Sequence, residues 1–221
     1  MLFYITFVNL NEAGSVGIRK KVIGQCKAFE KGLGRTYYTL WTYEVAYLMH
    51  GEDIVETDVA VSRKDYVEVL QNWLEKYHIK QTYIRYALCN KYIILFLQYQ
   101  RVNGIRTVTE IPTYPYEGEL TNSRAKVEDQ IYYKQVPAYI DVITTYSEHK
   151  EIWGRKCICL TNGIDRDEMI MSKKIPTEQS ISMVAVSGTF CSWHGYERLI
   201  TGIKNYRENG GGYKIKLFLV G

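Results

Sequence analysis

Four short segments of the chain carry residue types that can bind or orient a ligand. Glycines lie in the segment 11–17, a carboxylate begins the segment 110–117, an Asn-Gly pair lies in the segment 161–165, and His194 lies in the segment 187–195. Each segment follows an apolar run that predicts a strand. Ligands of open α/β sheets bind outside the carboxyl ends of the strands, so these segments are the first candidates for a functional site.

The segment 11–17 reads Asn-Glu-Ala-Gly-Ser-Val-Gly and precedes a predicted helix. Gly14 and Gly17 would let the backbone approach a ligand closely, and the N-terminus of the helix would favour an anion. A dinucleotide site would need the pattern G-x-G-x-x-G, so the segment does not indicate a nicotinamide or flavin cofactor. The alternative interpretation is a flexible loop between a strand and a helix.

Basic residues crowd the region that follows this segment. Glu30 is the only acidic residue among them, and the formal net charge of the whole chain is +4. Two interpretations remain open, namely a solvated helix face, or attraction to a phosphate-rich ligand or an anionic membrane surface. The low charge and the lack of a recognised motif argue against a nucleic-acid partner. The basic residues are Arg19, Lys20, Lys21, Lys27, Lys31 and Arg35.

Glu110 ends a predicted strand and precedes a turn with two prolines and two tyrosines. Its carboxylate could hydrogen-bond a sugar hydroxyl, orient a cation or hold the turn together. Tyr114 and Tyr116 could contact a sugar, or they could be half-buried packing residues like many of the 20 tyrosines. His194 precedes a predicted helix, where it could face a phosphate or have an ordinary structural role.

The five cysteines indicate neither a disulfide framework nor a zinc site, because their number is odd and their spacing fits no zinc pattern. We expect all five to be buried reduced thiols of a cytosolic protein. No acidic metal-binding motif occurs, so neither a metal nor a cofactor is expected. The sequence lacks the features of a signal peptide, and its longest apolar run, 92–97, is far too short to span a bilayer. We therefore expect a cytoplasmic protein, either soluble or peripheral at the inner face of the plasma membrane.

Strand and helix patterns alternate through residues 1–165, which is typical of a doubly wound parallel α/β sheet. The polar residues 166–180 indicate an interdomain linker. The segment between the second and third predicted strands is ambiguous. The predicted strands cover 2–8, 37–43, 54–61, 81–88, 105–111, 139–144 and 156–160, and the predicted helices cover 18–31, 64–79, 90–100, 122–136 and 147–153.

Residues 181–221 read as strand, loop, helix and strand, which is one βαβ unit. Two parallel strands cannot form a sheet that is covered on both faces. We therefore expect these residues to begin a second domain, with the rest of that domain outside this sequence.

The order and spacing of these segments resemble bacterial GT-B glycosyltransferases of the retaining family-four type, in a polysaccharide-biosynthesis branch. The resemblance covers nearly the whole chain. Its elements are Gly-Ser-x-Gly before a basic helix, Glu-Ile-Pro-Thr-Tyr-Pro-Tyr, Thr-Asn-Gly-Ile-Asp, and Trp-His-Gly-x-x-Arg-Leu-Ile. The resemblance implies a Rossmann-like, acceptor-side domain over 1–165 and the beginning of a nucleotide-sugar-binding domain at 181–221.

The resemblance also implies roles for particular residues. Glu110 stands where the family commonly has a catalytic-site histidine, and His194 lies near the place of a diphosphate-binding cation, so these two are the catalytic candidates. The resemblance places Gly14, Ser15, Gly17, Gly188, Thr189 and Gly195 at the donor diphosphate, and we assign Arg19, Lys20, Lys21, Tyr114 and Tyr116 to the acceptor.

The implied activity is transfer of a sugar from a nucleotide-sugar to a glycan or lipid-linked acceptor in cell-surface polysaccharide biosynthesis. Catalysis would depend mainly on positioning and on stabilisation of the leaving diphosphate, without a metal. We expect little or no activity from this chain alone. The alternatives are a non-catalytic module or a subunit of a split enzyme that needs a partner chain for donor binding, and a different sugar- or nucleotide-binding α/β enzyme such as an epimerase.

Overall fold

A computed structural model of the chain describes residues 1–116, 123–163, 180–186 and 194–220. These residues form two compact units. The larger unit contains the described residues of 1–12 and 18–163, and the smaller contains those of 13–17 and 180–220. Of the predicted linker, only Ser180 is described, and it begins a strand of the smaller unit.

The larger unit is built on a nine-stranded sheet with the order β4-β3-β2-β1-β5-β6-β7-β9-β8. Four α-helices accompany it in the described part of the chain, and a short 3-10 helix covers Tyr133–Ala138. A second short 3-10 helix, Ala13–Ser15, belongs to the smaller unit. The strands are β1 (Leu2–Ile5), β2 (Thr36–Trp41), β3 (Val45–His50), β4 (Asp53–Val59), β5 (Gln81–Arg85), β6 (Arg106–Ile111), β7 (Val142–Thr145), β8 (Glu151–Ile152) and β9 (Arg155–Cys159), and the helices are α1 (Val16–Leu33), α2 (Arg63–Lys76), α3 (Lys91–Val102) and α4 (Ser123–Tyr132).

Six strands of this sheet, from β2 through β1, β5, β6 and β7 to β9, are parallel. The prediction of an α/β fold with a mostly parallel, Rossmann-like sheet is therefore confirmed. From β1 the chain passes to β2 on one side, and after α2 it returns to β5 on the other side of β1. The strand order thus reverses between β1 and β5, and a crevice at such a point is the usual ligand site of these sheets.

The ambiguous segment of the sequence forms β3, which pairs antiparallel with both β2 and β4. The predicted helix over 147–153 is wrong, because residues 151–156 form a hairpin in which β8 pairs with β9. Trp153 and Gly154 connect these strands with φ values of 53° and 75°. Positive φ at both residues of a two-residue turn matches the twist of a hairpin, which explains why this short polar segment does not become helical.

The sheet is covered on both faces, as a parallel sheet requires. Phe3 and Ile5 of β1 lie in one apolar cluster with Trp73 of α2 and with buried residues of α3. Leu2 and Tyr4 point to the opposite face, where they lie in a second cluster with residues of α1. Alternation along β1 thus places α2 and α3 on one face and α1 on the other.

Side chains at their first turns define where α2 and α3 begin. Ser62 and Asp65 form a reciprocal capping box at α2, so the helix starts at Arg63. The Asn90 side chain accepts hydrogen bonds from the backbone N–H groups of Tyr92 and Ile93, each at 3.1 Å, and caps α3. Both caps follow strands of the large sheet, and they place the helix N-termini at the carboxyl ends of its parallel strands.

The smaller unit contains the predicted βαβ order. Strand β10 (Ser180–Val186) pairs in parallel with β11 (Lys214–Val220), and α5 (Tyr196–Glu208) lies between them in the chain. No described residue of α5 is buried, and the apolar side chains of Val186 and Phe218 are 71% and 50% exposed. This unit therefore buries far less apolar surface than the larger one.

Candidate functional site

A cavity of about 520 Å³ opens at the carboxyl ends of β1, β5 and β6 in the larger unit. Its walls include Phe7 and Val8 after β1, residues 85–90 at and after β5, and residues 111–113 after β6. It therefore lies at the point between β1 and β5 where the strand order reverses, and we call it the switch-point cavity. Small-molecule sites commonly measure about 300–1,000 Å³, so the volume suits a small ligand.

The wall of the switch-point cavity combines aromatic rings with a few charged groups. Two of its residues, Tyr43 and Leu88, have positive φ values of 70° and 41°. Such values are strained in residues other than glycine and occur often at functional sites. The aromatic residues of the wall are Phe7, Tyr43, Tyr86 and Tyr116, and its charged residues are Arg63, Arg85 and Glu128.

Arg63 is a half-buried cation at the start of α2. Its Nη1 donates to the carbonyl oxygens of Ala87 and Leu88 at 3.4 and 3.1 Å, and its guanidinium lies 5.7 Å from the centre of the Phe7 ring. Burial lowers the pKa of Arg63 from its ordinary value. No carboxylate pairs with Arg63 among the described residues, so carbonyl dipoles and an aromatic face stabilise its charge.

Arg85, at the end of β5, has its charge balanced inside the protein. Its Nη1 forms an ion pair with Oε1 of Glu110, whose side chain is fully buried. The other carboxylate oxygen of Glu110 accepts hydrogen bonds from Gln25 Nε2 at 2.8 Å, Tyr83 OH at 2.7 Å and Tyr146 OH at 3.1 Å. Residues from α1, β5 and the end of β7 thus converge on one carboxylate of β6.

The phenols around Glu110 remain proton donors over the physiological pH range. Burial, and secondly the negative charge of Glu110, raise the pKa of both Tyr83 and Tyr146 well above the ordinary value. With four donors, Glu110 has little remaining capacity to accept a hydrogen bond from a substrate. The geometry therefore favours a positioning role for Glu110, which is nearest to the third interpretation from the sequence, that it holds the turn together. Its catalytic role stays a prediction.

Lys21 belongs to the same network. Its Nζ lies 3.3 Å from the centre of the Tyr146 ring and donates to Asn162 Oδ1 at 2.9 Å. Burial lowers the pKa of Lys21. The structure thus joins two of the sequence segments, because Lys21 links the basic helix α1 to the Thr-Asn-Gly segment and, through Tyr146, to Glu110.

The other residues predicted to bind the acceptor lie in different surroundings. Tyr116 lines the switch-point cavity, whereas Tyr114 packs edge-on against the His149 ring at 5.1 Å and does not line it. Arg19 and Lys20 are exposed on α1, and Nη1 of Arg19 donates to Asn11 at 3.0 Å. Of the five predicted acceptor residues, only Tyr116 lines the cavity.

Asp129 is a buried carboxylate that the sequence did not reveal. It lies on α4 and accepts hydrogen bonds from the Tyr86 and Tyr116 hydroxyls and from the backbone N–H of Cys89. Both tyrosines and Cys89 line the switch-point cavity. Asp129 therefore fixes one wall of the cavity, but its sequence context, Glu-Asp-Gln in a polar helix, carries no signal for such a role.

The glycines predicted to contact the donor diphosphate differ in what the structure requires of them. Side chains added at Gly14 and Gly17 would meet nothing within 4 Å, so the fold does not by itself demand glycine there. Gly195 adopts a φ of 73° at the start of α5, where a Cβ would approach Arg198 Nη2 to 2.9 Å. The positive φ alone therefore explains why residue 195 is a glycine.

Of the remaining predicted residues, Ser15 and His194 belong to the smaller unit. Ser15 ends the short 3-10 helix that precedes α1. His194 is described, and its ring lies edge-on to the Tyr196 ring at 5.6 Å. Gly188 and Thr189 lie outside the described residues. The two catalytic candidates, Glu110 and His194, belong to different units.

The cysteines correct one expectation. Cys26 and Cys89 are buried free thiols, but Cys157 is only half-buried and Cys159 is exposed, so the prediction that all five are buried is wrong. Both belong to β9, which lies beside the short edge strand β8, and β8 pairs with Arg155 and Lys156 rather than with the cysteines. Cys191 lies outside the described residues.

The described residues contain neither a cluster of metal-binding side chains nor a membrane-spanning helix. No group of three or more histidine, cysteine, aspartate or glutamate side chains there has an arrangement suited to a metal ion. None of the helices in the same residues is sufficiently long and apolar to cross a bilayer.

None of the protein-family models matches the chain, and no curated protein matches it significantly. A function for the chain must therefore be argued from the site and from the sequence motifs.

Proposed function

We propose that this chain is the acceptor-side part of a glycosyltransferase that moves a sugar from a nucleotide-sugar to a glycan or lipid-linked acceptor in cell-surface polysaccharide biosynthesis. The observation that carries the proposal is the switch-point cavity, with its aromatic walls and few polar groups. The order of the sequence motifs, which resembles that of GT-B glycosyltransferases, supports the same function.

The chemistry of the cavity suits a carbohydrate. Aromatic rings such as Tyr86 and Tyr116 offer flat apolar faces with hydroxyl groups at their rims, and sugars present both apolar faces and hydroxyls. The guanidinium of Arg85 lines the cavity, and its ion pair with Glu110 holds it in place. A small number of fixed polar groups in an apolar pocket is the usual means of orienting a small ligand.

In this proposal the larger unit positions the acceptor, and Glu110 acts through Arg85. The donor diphosphate would contact residues of the smaller unit, including Gly14, Ser15 and Gly17, with His194 contributing there. Rate acceleration would come from positioning the acceptor hydroxyl and from stabilising the leaving diphosphate. The proposal requires neither a redox cofactor nor a covalent intermediate on this chain.

The test is calorimetric titration of the chain with oligosaccharide acceptors, and separately with UDP, GDP and UDP-sugars. We expect oligosaccharides to bind and Tyr86→Ala to weaken their binding at least about tenfold, a change of roughly 1.4 kcal/mol. The exposed tyrosine substitution Tyr213→Ala is the matched control. Tight binding of a nucleotide by the larger unit, without binding of any saccharide, would contradict an acceptor-side role.

A second candidate is a subunit that acts with a partner chain supplying the donor-binding domain. The exposed apolar side chains of β10 and β11 favour this candidate, because such surfaces often mark protein contacts. Light scattering after size-exclusion chromatography tests it. A stable oligomer that Phe218→Lys dissociates would favour the subunit, and a monomer at all concentrations would favour the first proposal.

A further inference from the structure

Among the described residues, no carboxylate balances the charge of Arg63 in the switch-point cavity. The two arginines of the cavity differ in this respect, because Arg85 forms an ion pair with Glu110 whereas the bonds of Arg63 go to two carbonyl oxygens. Removing a charge from water is costly unless an opposite charge or strong hydrogen bonds replace the water. A ligand with a negative charge would complete the environment of Arg63.

The donor geometry of Arg63 leaves room for such a ligand. Only Nη1 is engaged with carbonyl oxygens in the described structure, and the guanidinium carries further N–H donors on Nη2 and Nε. Two parallel N–H groups of a guanidinium match the two oxygens of a carboxylate or a phosphate. The guanidinium also lies 5.7 Å from the centre of the Phe7 ring, and both residues line the cavity.

Glu128 is the one acidic side chain among the described residues of the cavity wall, and it is the obvious internal competitor. It lies on α4, is half-buried, and forms no ion pair with Arg63 in the described structure. Its charge acts on Arg63 only at longer range. A ligand anion at Arg63 would therefore be repelled by Glu128 from one side, and this repulsion gives a second, independent way to test the site.

We propose that the switch-point cavity binds an anionic saccharide, whose carboxylate or phosphate pairs with the guanidinium of Arg63 while its sugar ring contacts the aromatic wall. Calling this saccharide the acceptor rests on the proposed function, but the binding itself does not. A uronic acid and a sugar phosphate share the required chemistry, and the experiment separates them.

The experiment measures dissociation constants for glucuronic acid, glucose 1-phosphate and glucose by calorimetry or ligand-observed NMR on the full chain. We expect one of the two anions to bind about tenfold to a hundredfold more tightly than glucose, as charge-assisted hydrogen bonds allow. Whichever anion binds more tightly identifies the source of the charge. Equal binding of all three, or preference for glucose, would overturn the proposal.

Variants locate the charge that the ligand uses. Arg63→Gln should remove the preference for the anion, and Arg63→Lys should retain only part of it, because lysine keeps the charge without the paired donors. Arg106→Gln is the matched control, since Arg106 is exposed at the opposite end of the strands. An unchanged preference in Arg63→Gln, with its fold verified by circular dichroism, would overturn the site.

The Glu128→Gln variant separates the proposal from a purely internal role of Arg63. If the cavity binds an anion, removal of the repelling carboxylate should strengthen binding severalfold. If Glu128 is instead the working partner of Arg63, the variant would lose stability without any gain in anion binding, and the proposal would fail.

Failure of this inference and failure of the proposed function are distinguishable. Binding of an anion through Arg63, together with failure of every oligosaccharide acceptor to bind, would leave the anion site standing and count against the acceptor-side role. Binding of neutral oligosaccharides at an affinity that Arg63→Gln leaves unchanged would overturn the anion site and leave the acceptor-side role standing.

Discussion

At the scale of single residues, Glu110 shows how one buried carboxylate can organise a site. Its ion pair with Arg85 lies at the edge of the switch-point cavity, with side-chain exposures of 0% for Glu110 and 12% for Arg85. A buried ion pair adds little net stability compared with apolar residues, but removal of one partner leaves an uncompensated charge. The position of the Arg85 guanidinium in the cavity therefore depends on Glu110.

The substitution Glu110→Gln should lower the free energy of unfolding by about 3–5 kcal/mol, because Arg85 would be left buried without its partner. The surface substitution Glu68→Gln, which removes an exposed i,i+4 pair with Lys64, should cost about 0.5 kcal/mol or less. Urea unfolding of the two variants makes the comparison. Equal losses would show that the Arg85–Glu110 pair is solvated in solution.

Tyrosines with raised pKa values predict how stability depends on alkaline pH. Hydrogen bonding to Glu56 raises the pKa of Tyr77 to about 12, and burial followed by Glu75 raises that of Tyr99 to about 12. A raised folded-state pKa means that the stabilisation is complete below the unfolded value of about 10 and is lost as the pH rises through the folded value. We expect stability to be level below about pH 10 and to fall between about pH 10 and 12.

Absorbance at 295 nm and urea unfolding at several pH values check this expectation. In the native protein at pH 11, only part of the 20 tyrosines should be ionised, whereas in urea all should titrate near pH 10. Tyr77→Phe should reduce the loss of stability above pH 10. Titration of all tyrosines together near pH 10 in the native protein would contradict the raised pKa values.

At the scale of elements, helix starts link the fold to the cavity. Asn90 caps α3 through its side-chain oxygen and also lines the cavity, and Arg63 is the first residue of α2. These positions follow from the doubly wound arrangement, in which helices begin just after the carboxyl ends of strands. Asn90, a residue type that commonly caps helices, therefore also forms part of the cavity wall.

Asn90→Ala should destabilise the larger unit by about 1 kcal/mol, because two N–H groups at the start of α3 lose their acceptor. Asn90→Asp keeps an acceptor oxygen and should restore most of that stability. Thermal and urea unfolding of the two variants give the measurement. A loss as large in the aspartate variant as in the alanine variant would mean that the amide nitrogen, and not the cap, is the important group.

At the scale of the whole molecule, the two units differ in how much apolar surface they bury. The larger unit has apolar clusters on both faces of its sheet, whereas α5 of the smaller unit has no buried residue among those described. Local opening free energies follow such differences in burial. The two units should therefore differ in the protection of their backbone amides.

Hydrogen exchange followed by mass spectrometry should show slow exchange in β1, β5 and β6 and much faster exchange in β10 and β11. The reason is that, within the described part of the chain, β10 and β11 pair only with each other, while the central strands of the large sheet are paired on both sides. The edge strand β4 serves as an internal reference, since it is exposed and, among the described strands, pairs with β3 alone. Protection in β10 equal to that in β1 would contradict this ranking.

Much of the fold could be predicted from the sequence because local patterns encode it. Val67, Leu70 and Leu74 recur at helical spacing and form the buried face of α2, and the apolar run after Met1 forms the central strand β1. The alternation of strands and helices then determined the α/β class. The same patterns indicated the carboxyl ends of the strands as the place of a site.

The site itself was decided by tertiary structure. Gln25 and Glu110 are 85 residues apart and meet only because β1 lies beside β5, and β5 beside β6. Arg63 reads in the sequence as one more basic residue at a helix start, and Asp129 as one more acid on a polar helix. Local periodicity encodes which face of an element is buried, whereas strand order decides which distant side chains share a cavity, so the sequence determined the elements and only the tertiary structure decided the site.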